Sequence, residues 1–297
     1  MNKTIGLIGL GNMGYGIGKN LLKLDNNLNI FDKSDKNVQQ LAGLGARSCK
    51  SAEEVISNSD IIFLSLPTSK IVESILLNND NIELSLLKGK TFVDMSSSNP
   101  ESTRFISKTF EEYDINYLDA PVSGGPDGAI DGTLSIMVGG SEEKYDECLP
   151  IFNKLGKNVN YIGEAGTGHS IKAVNNLLYG SIFVATCEAI ALGVKSGIKL
   201  EKMLEVISKS AGSNFALNNK FPKNVINRDF QPGFSTNLLK KDMDIALEMG
   251  KTEEVPLVIS QVANQFILLA QQEGYGDDDH TAFIKYYEDI IKKQFTE

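Results

Sequence analysis

At about 150 residues per domain, the 297-residue chain has room for roughly two domains. Its 41% hydrophobic and 23% charged content excludes disordered and collagen-like chains. A net charge of −9 argues against a nucleic-acid partner, because a phosphate backbone needs a basic surface.

The amino terminus, MNKTIGLIGLGNMG, imitates a signal peptide with Lys3 ahead of an apolar stretch. It lacks a small-residue cleavage site, glycines break the apolar region, and no Arg-rich transit pattern is present, so it reads as part of the mature fold. No run reaches the roughly 18 apolar residues of a membrane span, and no membrane partner is expected. Cys49, Cys148 and Cys187 lie far apart, without metal-type spacing or an even disulfide set. That usage fits a reducing compartment, and the cytoplasm is the expected location.

Strands are predicted at Thr4–Leu10, Leu28–Phe31, Ile61–Leu66, Thr91–Met95, Tyr117–Val122, Ser135–Val138 and Val159–Ile162. Most are continuous in Ile, Leu, Val and Phe, the pattern of a parallel sheet covered on both faces. Ser51-Ala-Glu-Glu54 and Ser98-Asn-Pro-Glu101 match the capping box between strands. This alternation predicts an α/β, doubly wound Rossmann-type domain over 1–163. Beyond Gly163 the pattern turns helical: Gly168–Ser196, Leu200–Lys209, Asn237–Met249, Pro256–Gln272 and His280–Lys292. An all-helical domain is therefore expected over 164–297. In its first helix Ile171, Val174, Leu178, Ile182 and Ala185 form an apolar stripe larger than one small domain needs. Self-association, as a homodimer or homotetramer, is the expected consequence.

Gly9-Leu10-Gly11-Asn12-Met13-Gly14 matches G-x-G-x-x-G between a buried strand and a helix that includes Ile17, Leu21 and Leu22. The chemistry needs one glycine for the turn, one for close approach of a pyrophosphate, and one for helix–strand packing. The phosphates then meet the free N–H groups of the helix start. Asp32 follows the second strand at about the 20-residue spacing of the acidic residue that binds the adenosine ribose. A carboxylate there repels a 2′-phosphate, so NAD is expected. Lys33 and Ser34 beside it keep NADP open.

Asp119-Ala-Pro-Val-Ser-Gly-Gly-Pro-Asp-Gly128 closes a strand, where ligands sit in open α/β sheets. The Ser123 hydroxyl and the N–H groups of Gly124 and Gly125 suit a small carboxylate; a plain turn is the competing reading. In Gly166-Thr-Gly-His-Ser-Ile-Lys172-Ala-Val-Asn175-Asn176, Lys172 and Asn176 are four apart and share a helix face. A partly desolvated Lys172 suits proton transfer, with Asn176 to orient it. By itself, a lysine on a helix is more often simply solvated. His169 is expected to pack at the helix start. Asp277-Asp278-Asp279 reads as a solvated turn and cap before the last helix. Two histidines are too few for a metal cluster, and no metal is expected.

Together GLGNMG, DAPVSGGPDGAIDG, GTGHSIKAVNN and FSTNLLKKD, in that order, resemble the four signature segments of the β-hydroxyacid dehydrogenases. This family contains 3-hydroxyisobutyrate dehydrogenase and tartronate semialdehyde reductase. The resemblance covers nearly the whole chain and implies an NAD(P)-dependent oxidoreductase. It would interconvert a small 3-hydroxy acid and its semialdehyde, such as 3-hydroxyisobutyrate or tartronate semialdehyde. Lys172 is then the general acid/base, assisted by Asn176, and Ser123, Gly124 and Gly125 hold the substrate carboxylate. Phe234, Leu238, Lys241 and Asp242 fit F-x-x-x-L-x-x-K-D. That match implies Phe234 at the substrate and Lys241 near the nicotinamide, with Lys240 a confusable neighbour. Met13, Leu66, Pro67 and Ser97 match cofactor-lining positions, Ser97 standing where threonine is common. An imine reductase shares this architecture but usually lacks the lysine. A non-catalytic dinucleotide-binding scaffold would lack a reason to keep Lys172, Asn176 and the Ser-Gly-Gly segment.

Overall fold

A computed structural model describes residues 3–24, 27–79 and 81–296. It divides into two compact units, Met1–Lys172 and Ala173–Glu297.

Among the described residues, the first unit is built on nine strands: β1 (Ile5–Ile8), β2 (Leu28–Phe31), β3 (Arg47–Ser48), β4 (Ile61–Leu64), β5 (Thr91–Asp94), β6 (Asn116–Asp119), β7 (Val122–Ser123), β8 (Leu134–Gly139) and β9 (Gly156–Gly163). The helices between them are α1 (Asn12–Leu21), α2 (Asp35–Gly43), α3 (Ala52–Ser57), α4 (Ser69–Leu76), α5 (Pro100–Glu111), α6 (Gly125–Asp131) and α7 (Glu142–Leu155). The sheet order is β3-β2-β1-β4-β5-β6-β8-β7, with β9 beside β8. Pairing from β3 to β6 is parallel throughout. Successive side chains alternate between the two faces. Leu7, Phe63 and Val93 enter one apolar core, while Ile8, Ile62, Leu64 and Phe92 enter the other. Both faces are covered, which is why the strands read as unbroken apolar runs.

The strand expected at Tyr117–Val122 is two elements. The chain leaves β6 at Ala120-Pro121, and β7 then pairs antiparallel with β8. Proline has no N–H for a ladder, so the parallel run ends there. The edge strand β3 escaped the sequence reading because both of its residues are polar and exposed. Ser51 caps α3 by accepting from the Glu54 N–H, and Glu54 reaches back to the Lys50 N–H. The second expected capping box is shifted by one residue. Asn99 caps α5 through the Glu101 N–H, while Ser98 turns inward and donates to Asp94.

The helix α8 (Thr167–Lys195) carries the division between the units within it. The second unit continues with α9 (Leu200–Ile207), a wide helical segment Ala216–Val225, α10 (Thr236–Thr252) and α11 (Val258–Ala270). It closes with a short 3-10 turn His280–Phe283 and α12 (Ile284–Ile291). Phe183, Cys187, Ile190 and Val194 of α8 are buried in its core with Leu200, Met203, Leu239, Met243 and Phe283. The apolar stripe of α8, Ile171, Val174, Leu178, Ile182 and Ala185, is exposed. An 18-residue window of α8 has a mean hydropathy of 1.8, long and apolar enough to cross a membrane. Gly180, Ser181 and Thr186 interrupt its apolar run.

One polar pair organises the end of the second unit. Asp279, expected to be solvated, is 1% exposed. Its Oδ2 accepts from the Gly233 and Phe234 N–H groups, and its Oδ1 from the N–H and hydroxyl of Thr281. Next to it, His280 is buried, with Nδ1 2.9 Å from the Phe234 carbonyl oxygen and Nε2 2.6 Å from the Tyr179 hydroxyl. The carbonyl can only accept, so Nδ1 carries the proton and Nε2 accepts from tyrosine. Burial pushes the His280 pKa down to about 4, against the opposing pull of Asp279.

An unfolded chain protonates this histidine first as pH falls. Stability present above pH 6.5 should therefore be lost progressively toward pH 4, by on the order of 3 kcal/mol. His280→Gln should flatten that part of the profile, read as urea midpoints from pH 7 to 4.5. Equal slopes in the two proteins would refute the assignment.

Candidate active site

The crevice begins where the topology reverses. β1 lies between β2 and β4, so the crossovers on its two sides leave in opposite directions and open a gap at the strand ends. The loop after β1 fills that gap. Gly9 has φ +91°, and a Cβ there would lie 2.3 Å from the Ser65 carbonyl oxygen. At Gly14 a Cβ would lie 2.0 Å from the Gly9 carbonyl oxygen, so the first helical turn packs directly on the strand end. Gly11, the N-cap of α1, is different: a Cβ there would meet nothing within 4 Å. Two glycines serve packing and the third leaves open space at a helix start, the cradle a pyrophosphate requires. Leu10, Asn12 and Met13 complete this loop.

Asp32 is placed at the end of β2 and is already engaged. Its Oδ2 accepts from the Leu10 N–H at 2.6 Å, and its Oδ1 from the Ser34 N–H at 2.7 Å. It therefore braces the glycine loop, with one lone-pair direction left on each oxygen for ribose hydroxyls. Leu66 and Pro67 follow β4, and Ser97 follows β5, all at carboxyl ends of strands. The Leu66 N–H donates to the Ser96 hydroxyl, which ties these two strand ends together.

The Ser123-Gly124-Gly125 segment joins β7 to α6. Gly124 and Gly125 have φ of +132° and +66°, a backbone that side-chain-bearing residues rarely adopt. α6 is fastened to the cofactor-loop helix. Gly16 of α1 lets the Ala129 backbone approach, and Asn20 Nδ2 donates to the Ala129 and Ile130 carbonyls. The two glycine clusters thus share one rigid support.

Behind these loops is a buried polar network that the sequence reading did not identify. Asp94, at the end of β5, accepts from the Ser96 N–H and from the hydroxyls of Ser98 and Tyr117. Burial and this carboxylate raise the Tyr117 pKa well above its ordinary value. Asp119, at the end of β6, accepts from the Gly166 N–H and the His169 N–H, each at 2.8 Å. His169 is buried as expected, but its ring is a connector, bonded to the Thr103 hydroxyl and the Ser96 carbonyl. Gly139 and Gly168 permit this closeness, since a Cβ on either would lie under 3 Å from Asp119 atoms. The start of α8 is therefore pinned to β6, three residues before half-buried Lys172.

Within the second unit, buried Asn176 donates through Nδ2 to Asp242 Oδ2 at 2.6 Å and accepts through Oδ1 from Asn175. Asp242 Oδ1 is 3.1 Å from the Lys241 ammonium. Lys240 is held by Asp244 at 2.6 Å, which distinguishes the two neighbouring lysines. Phe234 is half-buried and anchored through both backbone groups by Asp279 and His280. Asp242 was visible as part of a motif; its bond to Asn176, 66 residues away, needed the fold.

Two family matches divide the chain. Residues 4–163 match the NAD binding domain of 6-phosphogluconate dehydrogenase, and residues 166–287 the NAD-binding domain of NADP-dependent 3-hydroxyisobutyrate dehydrogenase. The chain is 41% identical over 286 residues to 2-(hydroxymethyl)glutarate dehydrogenase of Eubacterium barkeri, covering 96% of this chain and 95% of that protein. It is 34% identical over 284 residues to 2-hydroxy-3-oxopropionate reductase of Escherichia coli, covering 96% and 97%. The structure of Mycobacterium tuberculosis 3-hydroxyisobutyrate dehydrogenase with L-serine aligns at a TM-score of 0.89 and 28% identity, covering 96% and 99%. With its crevice, glycine cradle and signature segments, the chain belongs to the β-hydroxyacid dehydrogenase family, NAD(P)-dependent oxidoreductases that act on hydroxy acids.

Proposed function

We propose that the enzyme interconverts a 2-substituted 3-hydroxypropanoate and its semialdehyde. The reading draws on the substrates named for its relatives. 3-Hydroxyisobutyrate, serine, the glycerate formed by reducing 2-hydroxy-3-oxopropionate, and 2-(hydroxymethyl)glutarate share HO–CH2–CHX–COO−. They differ only in X. A site for this set needs three parts: a carboxylate holder, a proton donor and acceptor at the 3-oxygen, and a hydride partner.

The supporting observation is the fixed start of the helix that carries Lys172: Asp119 holds the His169 N–H three residues before it. In the second unit, Asn176 is separately held by Asp242. In this reading, the Lys172 ammonium donates its proton to the carbonyl oxygen during reduction and its amine takes the hydroxyl proton during oxidation. Its charge also steadies the developing alkoxide. Asn176 orients the substrate oxygen, and Ser123, Gly124 and Gly125 bind the carboxylate, with Phe234 against the substrate body. Gly9, Leu10, Gly11, Asn12, Met13, Gly14, Leu66, Pro67, Ser97 and Lys241 hold the dinucleotide. When bound, that cofactor supplies or accepts the hydride. Asp32 favours NAD, because its carboxylate stands where a 2′-phosphate would add negative charge. Residues 1–163 then form the cofactor domain and 164–297 the substrate and assembly domain. We assign the enzyme to the cytoplasm, in keeping with three buried, unpaired cysteines.

A matrix of semialdehydes against NADH and NADPH, read as kcat/KM, tests the assignment. Lys172→Ala should lower kcat by about 10^2–10^4 while NADH still binds, and near-normal turnover would sink its role. A tenfold preference for NADPH would overturn the reading of Asp32.

Gly11→Ala should keep the wild-type melting temperature yet weaken NADH binding at least tenfold, because its methyl enters open space meant for phosphate. Gly14→Ala should lower the melting temperature as well, because its methyl meets backbone. Tight NADH binding by Gly11→Ala would remove the cradle assignment.

The exposed stripe Ile171, Val174, Leu178 and Ile182 supports a homodimer or homotetramer, since exposed apolar strips of this kind mark association surfaces. Light scattering after size exclusion should give at least twice 32.4 kDa, and Leu178→Glu should reduce the mass toward one chain. A wild-type monomer would refute this.

A further inference from the structure

His169 is a wholly buried titratable side chain that no step of the reading above uses. Three bonds fix it to three segments of the first unit. Its backbone N–H donates to Asp119 Oδ2 at the end of β6. Ring Nε2 is 3.0 Å from the carbonyl oxygen of Ser96, in the loop between β5 and α5, and Nδ1 is 2.7 Å from the Thr103 hydroxyl on α5. A carbonyl can only accept, so Nε2 carries a proton and donates it there. The neighbouring carboxylates do not take the ring. Asp94 Oδ2 lies 3.9 Å from Nε2 and Asp119 Oδ2 3.7 Å from Nδ1, both beyond hydrogen-bond reach. Their oxygens are already served by Ser96, Ser98, Tyr117, Gly166 and the His169 N–H.

Ser96 is where this ring reaches the strand ends of the crevice. The Ser96 N–H donates to Asp94 Oδ1 at 2.9 Å, and its hydroxyl accepts from the Leu66 N–H at 2.9 Å. Leu66 and Ser97, read above as cofactor-lining, therefore adjoin atoms that Ser96 holds. On the other side, Lys172 follows His169 by three residues on α8. Each side has its own carboxylate: Asp94 holds the Ser96 N–H, and Asp119 holds the start of α8. The Nε2–Ser96 bond joins the two. Without it both halves stay in place and the register between them loosens. A misplacement of about 1 Å between reacting groups costs about a hundredfold in rate, so this bond bears on turnover more than on binding. An apolar side chain would fill the same space and give no such link.

We propose that His169 is a positioning residue for the hydride-transfer step. Its Nε2–H, bonded to the Ser96 carbonyl, sets the register between the cofactor wall at Leu66 and Ser97 and the helix start that carries Lys172. The proposal rests on the reading of Lys172 as proton donor and acceptor, and His169 acts through Ser96 and α8 rather than on the substrate. Two amide side chains separate the ring's two bonds. Glutamine places its Nε2 as many bonds from Cβ as the ring Nε2 and keeps the Ser96 link. Asparagine reaches only as far as Nδ1 and keeps the Thr103 link alone.

The test measures kcat and KM for oxidation of 2-(hydroxymethyl)glutarate, 3-hydroxyisobutyrate and L-serine with NAD+ in the full-length enzyme, together with NADH affinity and melting temperature. His169→Asn should lower kcat by about tenfold or more while KM and the NADH Kd stay within about threefold of wild type. His169→Gln should hold kcat within about threefold, and so should Thr103→Val, which leaves the Ser96 bond in place. Wild-type turnover in His169→Asn would overturn the proposal. So would equal losses in His169→Asn and His169→Gln, the result for a merely structural histidine, or a loss of about tenfold in Thr103→Val. Lys172→Ala in the same assay separates the two readings. Normal turnover there sinks the general acid/base assignment and this proposal with it, whereas an inactive Lys172→Ala beside a fully active His169→Asn sinks this proposal alone.

Discussion

Much of the site geometry depends on one buried carboxylate. Asp119 sits at the end of β6 and draws in two backbone N–H groups from the segment that begins α8. Hydrogen bonds to a charged acceptor contribute about 1.5–3 kcal/mol each, enough to fix a helix start against the edge of a sheet. Within the first unit, the direction set at Gly166 and His169 also sets Lys172, one turn further along α8. Glycine is required at 139 and 168 for the same reason, since any Cβ there would push Asp119 away.

Asp94 performs the matching task one strand earlier. It gathers Ser96, Ser98 and Tyr117, and through the Ser96 carbonyl the network reaches the ring of His169. Two neighbouring strand ends are thereby locked to one loop system. Desolvating carboxylates is expensive unless each oxygen is bonded, and here every oxygen is. The network holds the ends of β5 and β6 and the start of α8 in one fixed arrangement.

The second unit repeats the arrangement with Asp279. This carboxylate collects Gly233, Phe234 and Thr281 and places neutral His280 between Phe234 and Tyr179. Asp277–Asp279 reads in sequence as a solvated run, which is the usual fate of three consecutive aspartates. Only the last is buried, because the Gly233–Phe234 loop, far away in sequence, presents its N–H groups there.

Local chemistry was legible by itself. The strand–glycine–helix order, the acidic residue after β2, the helical second half and the four signature segments are short-range patterns, set by backbone sterics, period and capping. They identified the family, the cofactor class and the candidate lysine. Tertiary structure decided what these residues bond to. Asp32 braces the glycine loop, Asn176 meets Asp242, and Asp279 is buried against the Gly233–Phe234 loop. Such facts escape a linear reading because a buried polar group is defined by its partners, and those partners come from segments about 20 to 70 residues away.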